Sequence, residues 1–313
     1  MEPELKKILE KQHYRVVGEH SGVKLCHWLK EKLVRGRPCY KEVFYGIQSH
    51  RCLQMSPALN QCTQNCLFCW RFQAFNESTL KQVDDPEFIL DQSIEAQRKL
   101  ISGFKGDPRV SREMWDEAYN PNQIAISLSG EPTIYPRLGE FIELAHKKGM
   151  TTFLVSNGTL PKVIENLDPL PTQLYITVAA PNEEIYDKLL VPMIPNGWER
   201  LNETLEILPS LDTRTVIRHT LVKDWNMQGY EKEYAKLIEK ADPDFIEAKG
   251  YVFVGYSRER MNMANMPSHD EIKEFGRKIG EYTGRELLLE YAPSRVVLVG
   301  EKGKETKIGE TVN

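Results

Sequence analysis

Six cysteines fall between positions 26 and 69 of this 313-residue chain, and none lies beyond. Three of them, Cys62, Cys66 and Cys69 in NQCTQNCLFCW, form C-x3-C-x2-C. Three thiolates at such close quarters can grip a zinc ion or an iron–sulfur cluster. A structural zinc site closes its tetrahedron with four protein ligands, usually two close pairs from separate turns. This loop offers three, and His27 or His50 would have to supply a fourth. A [4Fe–4S] cluster held by three thiolates keeps one iron without a protein ligand, open to chelation by a small molecule. The remaining cysteines, Cys26, Cys39 and Cys52, are spaced C-x12-C-x12-C. That even spacing has no local geometric logic, so these three meet only if folding brings them together. They read either as buried structural thiols or as ligands of a second three-cysteine cluster whose open iron could act as a Lewis acid.

The elements that must position these thiols alternate along the chain. Gln123–Ser129, Thr151–Val155, Gln173–Val178, Val216–Leu221 and Phe245–Val254 are short apolar, β-branched runs that read as strands, and Arg51–Ala58 fits a strand ahead of the cysteine loop. Between them, Asp85–Ile101, the stretch from Leu138 to the C-cap Gly149, Trp198–Leu208 and Tyr230–Ala241 carry helical periodicity. Repeated strand–helix units imply a parallel sheet with right-handed crossovers. Six such units predict an α/β fold, a partial (β/α)6 barrel of the TIM type with N- and C-terminal extensions. In that fold the loops after the strands' C-terminal ends form the active site. The cysteine loop, SGEPT, SNGT, AAPN and KDWN all hold that position and are expected around one mouth. The expected division is an N-terminal segment 1–46 with the outlying cysteines, a core 47–250 and a C-terminal substrate region 251–313. Residues 103–121 are rich in breakers and read as an inserted loop with room for a short helix, and residues 301–313 read as a mobile polar tail.

Composition narrows the class. Hydrophobic residues make up 41% and charged residues 27% of the chain, as in a soluble globular protein. No apolar run approaches the roughly 18–20 residues needed to span a bilayer, and the charged N-terminus is unlike a secretory signal. A cytoplasmic location is expected. In such a chain, clustered cysteines favour metal binding over disulfides. A net charge of −4 provides no global basic field, so any nucleic-acid contact must come from local patches.

C-x3-C-x2-C with Phe68 just before its last cysteine resembles the signature loop of the radical S-adenosylmethionine (SAM) enzymes. Gly130-Glu131-Pro132 resembles that family's glycine-rich element, with Ser129 where a further glycine is usual, and Ser156-Asn157-Gly158 stands after the next strand. Alone, each of these reads equally as a turn. Their order on consecutive units carries the resemblance. It implies a partial (β/α) barrel and a [4Fe–4S] cluster on Cys62, Cys66 and Cys69, whose open iron binds the amino and carboxylate groups of SAM. It also implies that Gly130, Glu131 and Pro132 meet the SAM amino group through backbone and carboxylate, with Ser156 and Asn157 near the ribose and carboxylate. Reduction then cleaves SAM to a 5′-deoxyadenosyl radical.

With Cys26, Cys39 and Cys52 upstream, and with SLSGEPT, LVSNGT, RHTLVKDWN, IEAKGYVFVGYSRERMNMANMP and RVVLV downstream, nearly the whole chain resembles one branch of that family, the tRNA 4-demethylwyosine synthases. The resemblance implies a lyase that joins two carbons of pyruvate to N1-methylguanosine next to the anticodon of tRNA(Phe), closing a third ring. It implies a second [4Fe–4S] cluster on Cys26, Cys39 and Cys52. The sequence holds no flavodoxin-like domain, so an external one-electron donor of flavodoxin or ferredoxin type is expected, as is a monomer. Pyruvate would wait on the second cluster or as an imine with a lysine. Lys41, two residues after Cys39, is the first candidate and Lys249 the second. For tRNA the candidate cationic surfaces are Lys30–Arg37, Arg71, Lys105–Arg112 and Ser257–Arg260, with Tyr256, Trp115 and Trp225 as stacking faces and RERMNMANM as a substrate-facing loop. Two other readings are a radical SAM enzyme of another kind with merely structural upstream cysteines, and a zinc-stabilised RNA-binding protein without catalysis.

Overall fold

A computed structural model describes residues 1–309. Among these residues one sheet contains ten strands: β1 Arg15–Val17, β2 Ser21–Val23, β3 Cys52–Ser56, β4 Gln123–Ile126, β5 Thr151–Ser156, β6 Gln173–Thr177, β7 Arg214–Leu221, β8 Phe245–Gly250, β9 Glu286–Tyr291 and β10 Val296–Gly300. Their order is β1-β2-β3-β4-β5-β6-β7-β8-β10-β9. The six strands β3 to β8 run parallel, from the pairing of Cys52 with Gln123 to that of Leu221 with Gly250. That is the partial (β/α)6 barrel expected from the alternation of strand and helix. An antiparallel β1–β2 hairpin extends one edge, and β10 and β9 extend the other, both antiparallel. The sheet therefore runs unbroken through the N-terminal, core and C-terminal segments.

The helices are α1 Pro3–Lys11, α2 His27–Arg35, α3 Tyr40–Tyr45, α4 Pro86–Ile101, α5 Arg112–Tyr119, α6 Leu138–Lys147, α7 Pro161–Glu165, α8 Glu183–Leu190, α9 Gly197–Ile207, α10 Glu231–Ala241 and α11 His269–Thr283. Local chemistry fixes several ends. The Asp85 carboxylate caps α4 by accepting from Glu87 N–H at 3.0 Å, and Pro86 takes the first helical position, where its missing N–H costs nothing. Ser268 and Glu271 form a reciprocal capping box on α11, which Gly284 ends in the left-handed conformation.

Alternation along the parallel strands splits the core in two. Ile124, Leu154, Ile176, Ile217 and Ile246 face outward into the layer of flanking helices. Phe153, Tyr175, Val216 and Phe245 face inward, where Tyr40, Phe44 and Tyr45 of α3 pack against them. α3 thus fills part of the barrel lumen. The sequence had not marked it, nor β1, β2 and β9.

Residues 103–121 carry the short helix for which the sequence left room: a 3-10 turn over Ser102–Gly106 leads into α5, which Ser111 caps by accepting from Met114 N–H at 3.2 Å. Two expectations are corrected. Strand β8 ends at Gly250, not Val254. Residues 301–309 are not a free tail. Lys304 pairs with Asp244 at 2.7 Å, and Ile308 N–H donates to the Tyr45 carbonyl at 2.9 Å, because polar groups at the barrel's lower rim offer partners. Residues 310–313 of the expected tail lie outside the described residues.

Candidate active site

From Pro57 to Asp85 the chain runs from β3 to α4 without a helix or strand, so its shape must come from specific bonds. The backbone supplies most of them. Asn65 and Leu67 N–H donate to the carbonyls of Val191 and Leu189, both at 2.9 Å, and Met193 N–H donates to that of Thr63 at 2.8 Å. Cys62 N–H donates to the Glu77 carbonyl at 3.1 Å and to Asn76 Oδ1 at 2.8 Å. Arg71 lies beneath the loop, 3% exposed, and its guanidinium donates to the carbonyls of Asn60 and Gln64. The expectation that Arg71 is a tRNA-facing cation is therefore corrected: its donors are spent on loop carbonyls that have no helix or strand partners.

The GEP element meets this loop through backbone. Glu131 N–H donates to the Gln61 carbonyl at 2.7 Å. Gly130 has φ +79°, and a Cβ there would lie 2.0 Å from the Ala58 carbonyl oxygen and 2.5 Å from that of Gln61. Only glycine permits that approach. The Glu131 carboxylate, 2% exposed, accepts from Thr133 Oγ1 at 2.7 Å, Thr133 N–H at 3.2 Å, Ser156 Oγ at 2.8 Å and Asn157 N–H at 2.7 Å. Burial raises its pKa and these donors oppose the rise. Three of these donors meet Oε1 and only Asn157 N–H meets Oε2, which keeps an acceptor position. Asn157 continues the chain of contacts: its Nδ2 donates to Thr63 Oγ1 at 2.8 Å and reaches Cys62 Sγ at 3.7 Å. The three motifs singled out in the sequence are thus one hydrogen-bonded unit at the C-terminal ends of β3, β4 and β5.

All six cysteines are free thiols. Cys26 precedes α2, Cys39 precedes α3 and Cys52 opens β3. Folding brings them close enough to feel one another's charge. Burial, reinforced by Cys26, pushes the Cys39 thiol up to about 12 and that of Cys52 higher. In the first triad, burial pushes Cys62 up to about 11 and Cys66 well above its ordinary value, the latter with help from Cys69 and Cys62. Buried thiols of this kind give up their protons against the charge of a metal. Among the described residues no three Cys, His, Asp or Glu side chains converge tightly enough for a single ion. In each triad three thiolates are the donor set that would leave one iron of a [4Fe–4S] cluster without a protein ligand. His50 holds its Nε2 2.7 Å from Glu117 Oε2, and its buried Nδ1 has no partner among the described residues.

Next to the upstream triad, the lumen holds a buried charge network. Glu247 is fully buried and accepts from Tyr45 OH at 2.7 Å, Tyr40 OH at 3.1 Å and Arg218 Nε at 3.0 Å. Burial pushes Glu247 up, but Arg218 and Lys41 outweigh it and hold the carboxyl below its ordinary value. Lys41, 8% exposed, places its ammonium over Tyr175 at 4.6 Å and Phe153 at 5.0 Å. Lys249 stands over Tyr40 at 4.7 Å and donates to the Ser294 carbonyl at 3.1 Å. Burial, with Arg218 adding repulsion, lowers both lysines to about 8. Sequence reasoning had found the two lysines and missed Arg218, Glu247, Tyr40 and Tyr45. The signal was available: Glu247 and Lys249 are two residues apart on a strand, hence on one face, and Arg218 interrupts an apolar run.

The other nucleic-acid candidates divide. Trp115 is buried, and its Nε1–H donates to the Ile101 carbonyl at 3.2 Å, so it is not a stacking face. Its indole anchors α5 on the end of α4. Tyr256 is half-buried against Phe72, ring centroids 4.9 Å apart, and Trp225 packs at the edge of the outer core.

A family profile described as Radical SAM superfamily matches residues 57–237, and one described as wyosine base formation matches residues 240–301. The S-adenosyl-L-methionine-dependent tRNA 4-demethylwyosine synthase of Pyrococcus abyssi is 54% identical over 305 residues, covering 96% of this chain and 89% of that protein. Among solved structures, TYW1 with a lysine–pyruvate adduct bound superposes with a TM-score of 0.89 at 38% identity, covering 100% of this chain and 99% of that one. An archaeal TYW1 crystal structure gives a TM-score of 0.82 at 35% identity, covering 98% of this chain and 100% of that one.

Proposed function

The chain belongs to the S-adenosyl-L-methionine-dependent tRNA 4-demethylwyosine synthase family of radical SAM enzymes, and on that premise we propose that it joins two carbons of pyruvate to N1-methylguanosine beside the anticodon of tRNA(Phe). The [4Fe–4S] cluster and SAM that membership implies supply, when bound, a 5′-deoxyadenosyl radical able to take hydrogen from the N1-methyl group. Cys62, Cys66 and Cys69 would hold that cluster. The backbone of Gly130, Glu131 and Pro132, with the Glu131 carboxylate, whose Oε2 accepts only from Asn157 N–H, would meet the SAM amino group. Ser156 and Asn157 would fix the neighbouring edge of the site through the same bonds. Cys26, Cys39 and Cys52 would hold a second cluster. An external one-electron donor, of flavodoxin or ferredoxin type, would complete the system.

The observation that carries the pyruvate assignment is the lumenal charge imbalance beside Cys39 and Cys52. Three cations, the buried Lys41 and the half-buried Lys249 and Arg218, surround one buried carboxylate, Glu247. A small anionic substrate offsets that excess, because buried charge is tolerated only when paired. Lys41 follows the N-terminus of α3 and points at aromatic faces with no carboxylate bonded to it, so its amine is free to attack a ketone. The amine adds to C2 of pyruvate and water leaves, giving an imine. Arg218, fixed by Glu247 and Tyr40, stands by for the carboxylate before that carbon is released. The lysine–pyruvate adduct in the solved TYW1 structure supports this chemistry.

Borohydride reduction in the presence of pyruvate, followed by peptide mass mapping, tests it. The reduced adduct is expected on Lys41. Lys41→Arg, which keeps the charge, should abolish both trapping and formation of 4-demethylwyosine in tRNA bearing N1-methylguanosine. An adduct on Lys249, or modification persisting in Lys41→Arg, sinks the assignment.

A further inference from the structure

The segment from Tyr251 to Met266 leaves the end of β8 and lies across the cysteine loop. Arg260 makes the principal contact: its Nε donates to the Leu67 carbonyl at 3.2 Å and its Nη2 donates to the Cys69 carbonyl. Beside it, Tyr256 N–H donates to the Trp70 carbonyl at 3.1 Å. Gly255, at φ +58°, makes that turn possible, because a Cβ there would lie 2.4 Å from the Trp70 carbonyl oxygen. The segment is braced from within. Ser257 is fully buried, its Oγ donating to the Val254 carbonyl at 2.6 Å and lying 2.8 Å from Tyr251 OH. Asn262 and Asn265 form a reciprocal capping box, and Asn265 exchanges bonds with the Lys223 backbone at 2.9 Å and 3.1 Å. Val252, Val254 and Met263 are exposed, and the Arg258 guanidinium lies 5.7 Å over the Phe253 ring, itself half-buried on the outer core. Exposed apolar side chains beside a guanidinium suit an unpaired RNA loop, whose bases bury apolar surface and whose phosphates need counter-charge.

We propose that Arg260 is a positioning residue that couples RNA on the outer face of Tyr251–Met266 to the shape of the Cys62–Cys69 loop. The inference rests on the tRNA-modifying reading above. Its physical basis is a braced strut between two loops. RNA that settles on the strut holds Arg260 and Tyr256 against the carbonyls of Leu67, Cys69 and Trp70, and so selects one arrangement of the loop that carries the thiols. Linkage makes the effect reciprocal: a ligand that favours the same loop arrangement must tighten RNA binding by the same factor.

The experiment measures the dissociation constant of an anticodon stem-loop RNA bearing N1-methylguanosine, using cluster-loaded protein with and without SAM. Wild type should bind about fivefold or more tightly with SAM. In Arg260→Gln the ratio should fall to about one. A direct RNA contact by Arg260 would weaken both constants alike and leave the ratio intact, so the ratio isolates coupling from contact. Hydrogen exchange on the same samples should show faster exchange of the residue 66–70 amides in Arg260→Gln, with β4–β6 unchanged. Gly255→Ala, which breaks the turn but keeps the arginine, should give the same pattern and carries the test if Arg260→Gln does not fold. A ratio as large in the variants as in wild type, or no SAM effect in wild type, overturns the coupling. RNA that binds and is modified while the ratio never moves leaves the proposed function standing; RNA that binds no form of the protein overturns both.

Discussion

Two buried carboxylates of this chain do different work, and their surroundings decide which. Glu131 is surrounded by neutral donors from Thr133, Ser156 and Asn157 and ties the end of β4 to the end of β5. Glu247 is surrounded by Arg218 and two tyrosines and leaves a cationic lumen around it. Charged residues two apart on one buried strand, as in IEAKG, can be read from the sequence as facing the same way; which face is lumenal cannot, because α3 arrives there from a distant part of the chain. Arg71 and Trp115 were misread for the opposite reason: a sequence shows that a guanidinium or an indole is present, not that nearby carbonyls have used it. A third buried polar residue yields a pH prediction. His219 donates from Nδ1 to the Val178 carbonyl at 2.7 Å, its Nε2 has no partner, and burial lowers its pKa to about 4. Between about pH 6.5 and pH 4 the unfolded chain takes up a proton that the folded chain refuses, so stability present at neutral pH is lost as pH falls through that window. From pH 7 to pH 5 this one residue should cost about 2 kcal/mol. Denaturant midpoints measured anaerobically should show that extra loss in wild type and not in His219→Gln. Equal losses in both would rule it out.

At the scale of elements, the cysteine loop has no regular structure of its own and borrows rigidity from the end of α8 and the turns after β4 and β5. Its approach to Gly130 is the tightest point. Gly130→Ala should push the GEP turn off the Gln61 and Ala58 carbonyls and loosen the loop, with a loss of at least about 1 kcal/mol of stability from the positive φ alone. Iron retained after anaerobic reconstitution and the thermal midpoint check it; an alanine variant with full iron and an unchanged midpoint would show the close approach to be dispensable. The parallel strands were legible because buried β-branched runs recur with helices between them. The first 51 residues were not. β1 and β2 are three residues each, α3 is six, and segments that short leave no period to detect. β9 was missed because its half-exposed residues Glu286–Tyr291 form an edge, where one polar face hides the apolar one.

Across the whole molecule, one continuous sheet carries the two cysteine triads and the C-terminal segment that touches the first of them. If both triads hold clusters, anaerobic reconstitution should give about eight irons per chain, and replacing Cys26, Cys39 and Cys52 with Ala should leave about four. Four irons in the unmodified protein would remove the second cluster from the scheme. Motif order made the first site legible, but the convergence of Cys26, Cys39 and Cys52 depends on α2, α3 and β3 meeting in space, which their even spacing does not encode. Strand β3 has a further role. Cys52 is its first residue, and the loop bearing Cys62 begins where it ends. At about 3.3 Å per residue its five residues span about 13 Å. The strand is a ruler: it sets Cys52 and the start of the loop bearing Cys62 that distance apart, and an insertion of two residues would add about 7 Å to the spacing.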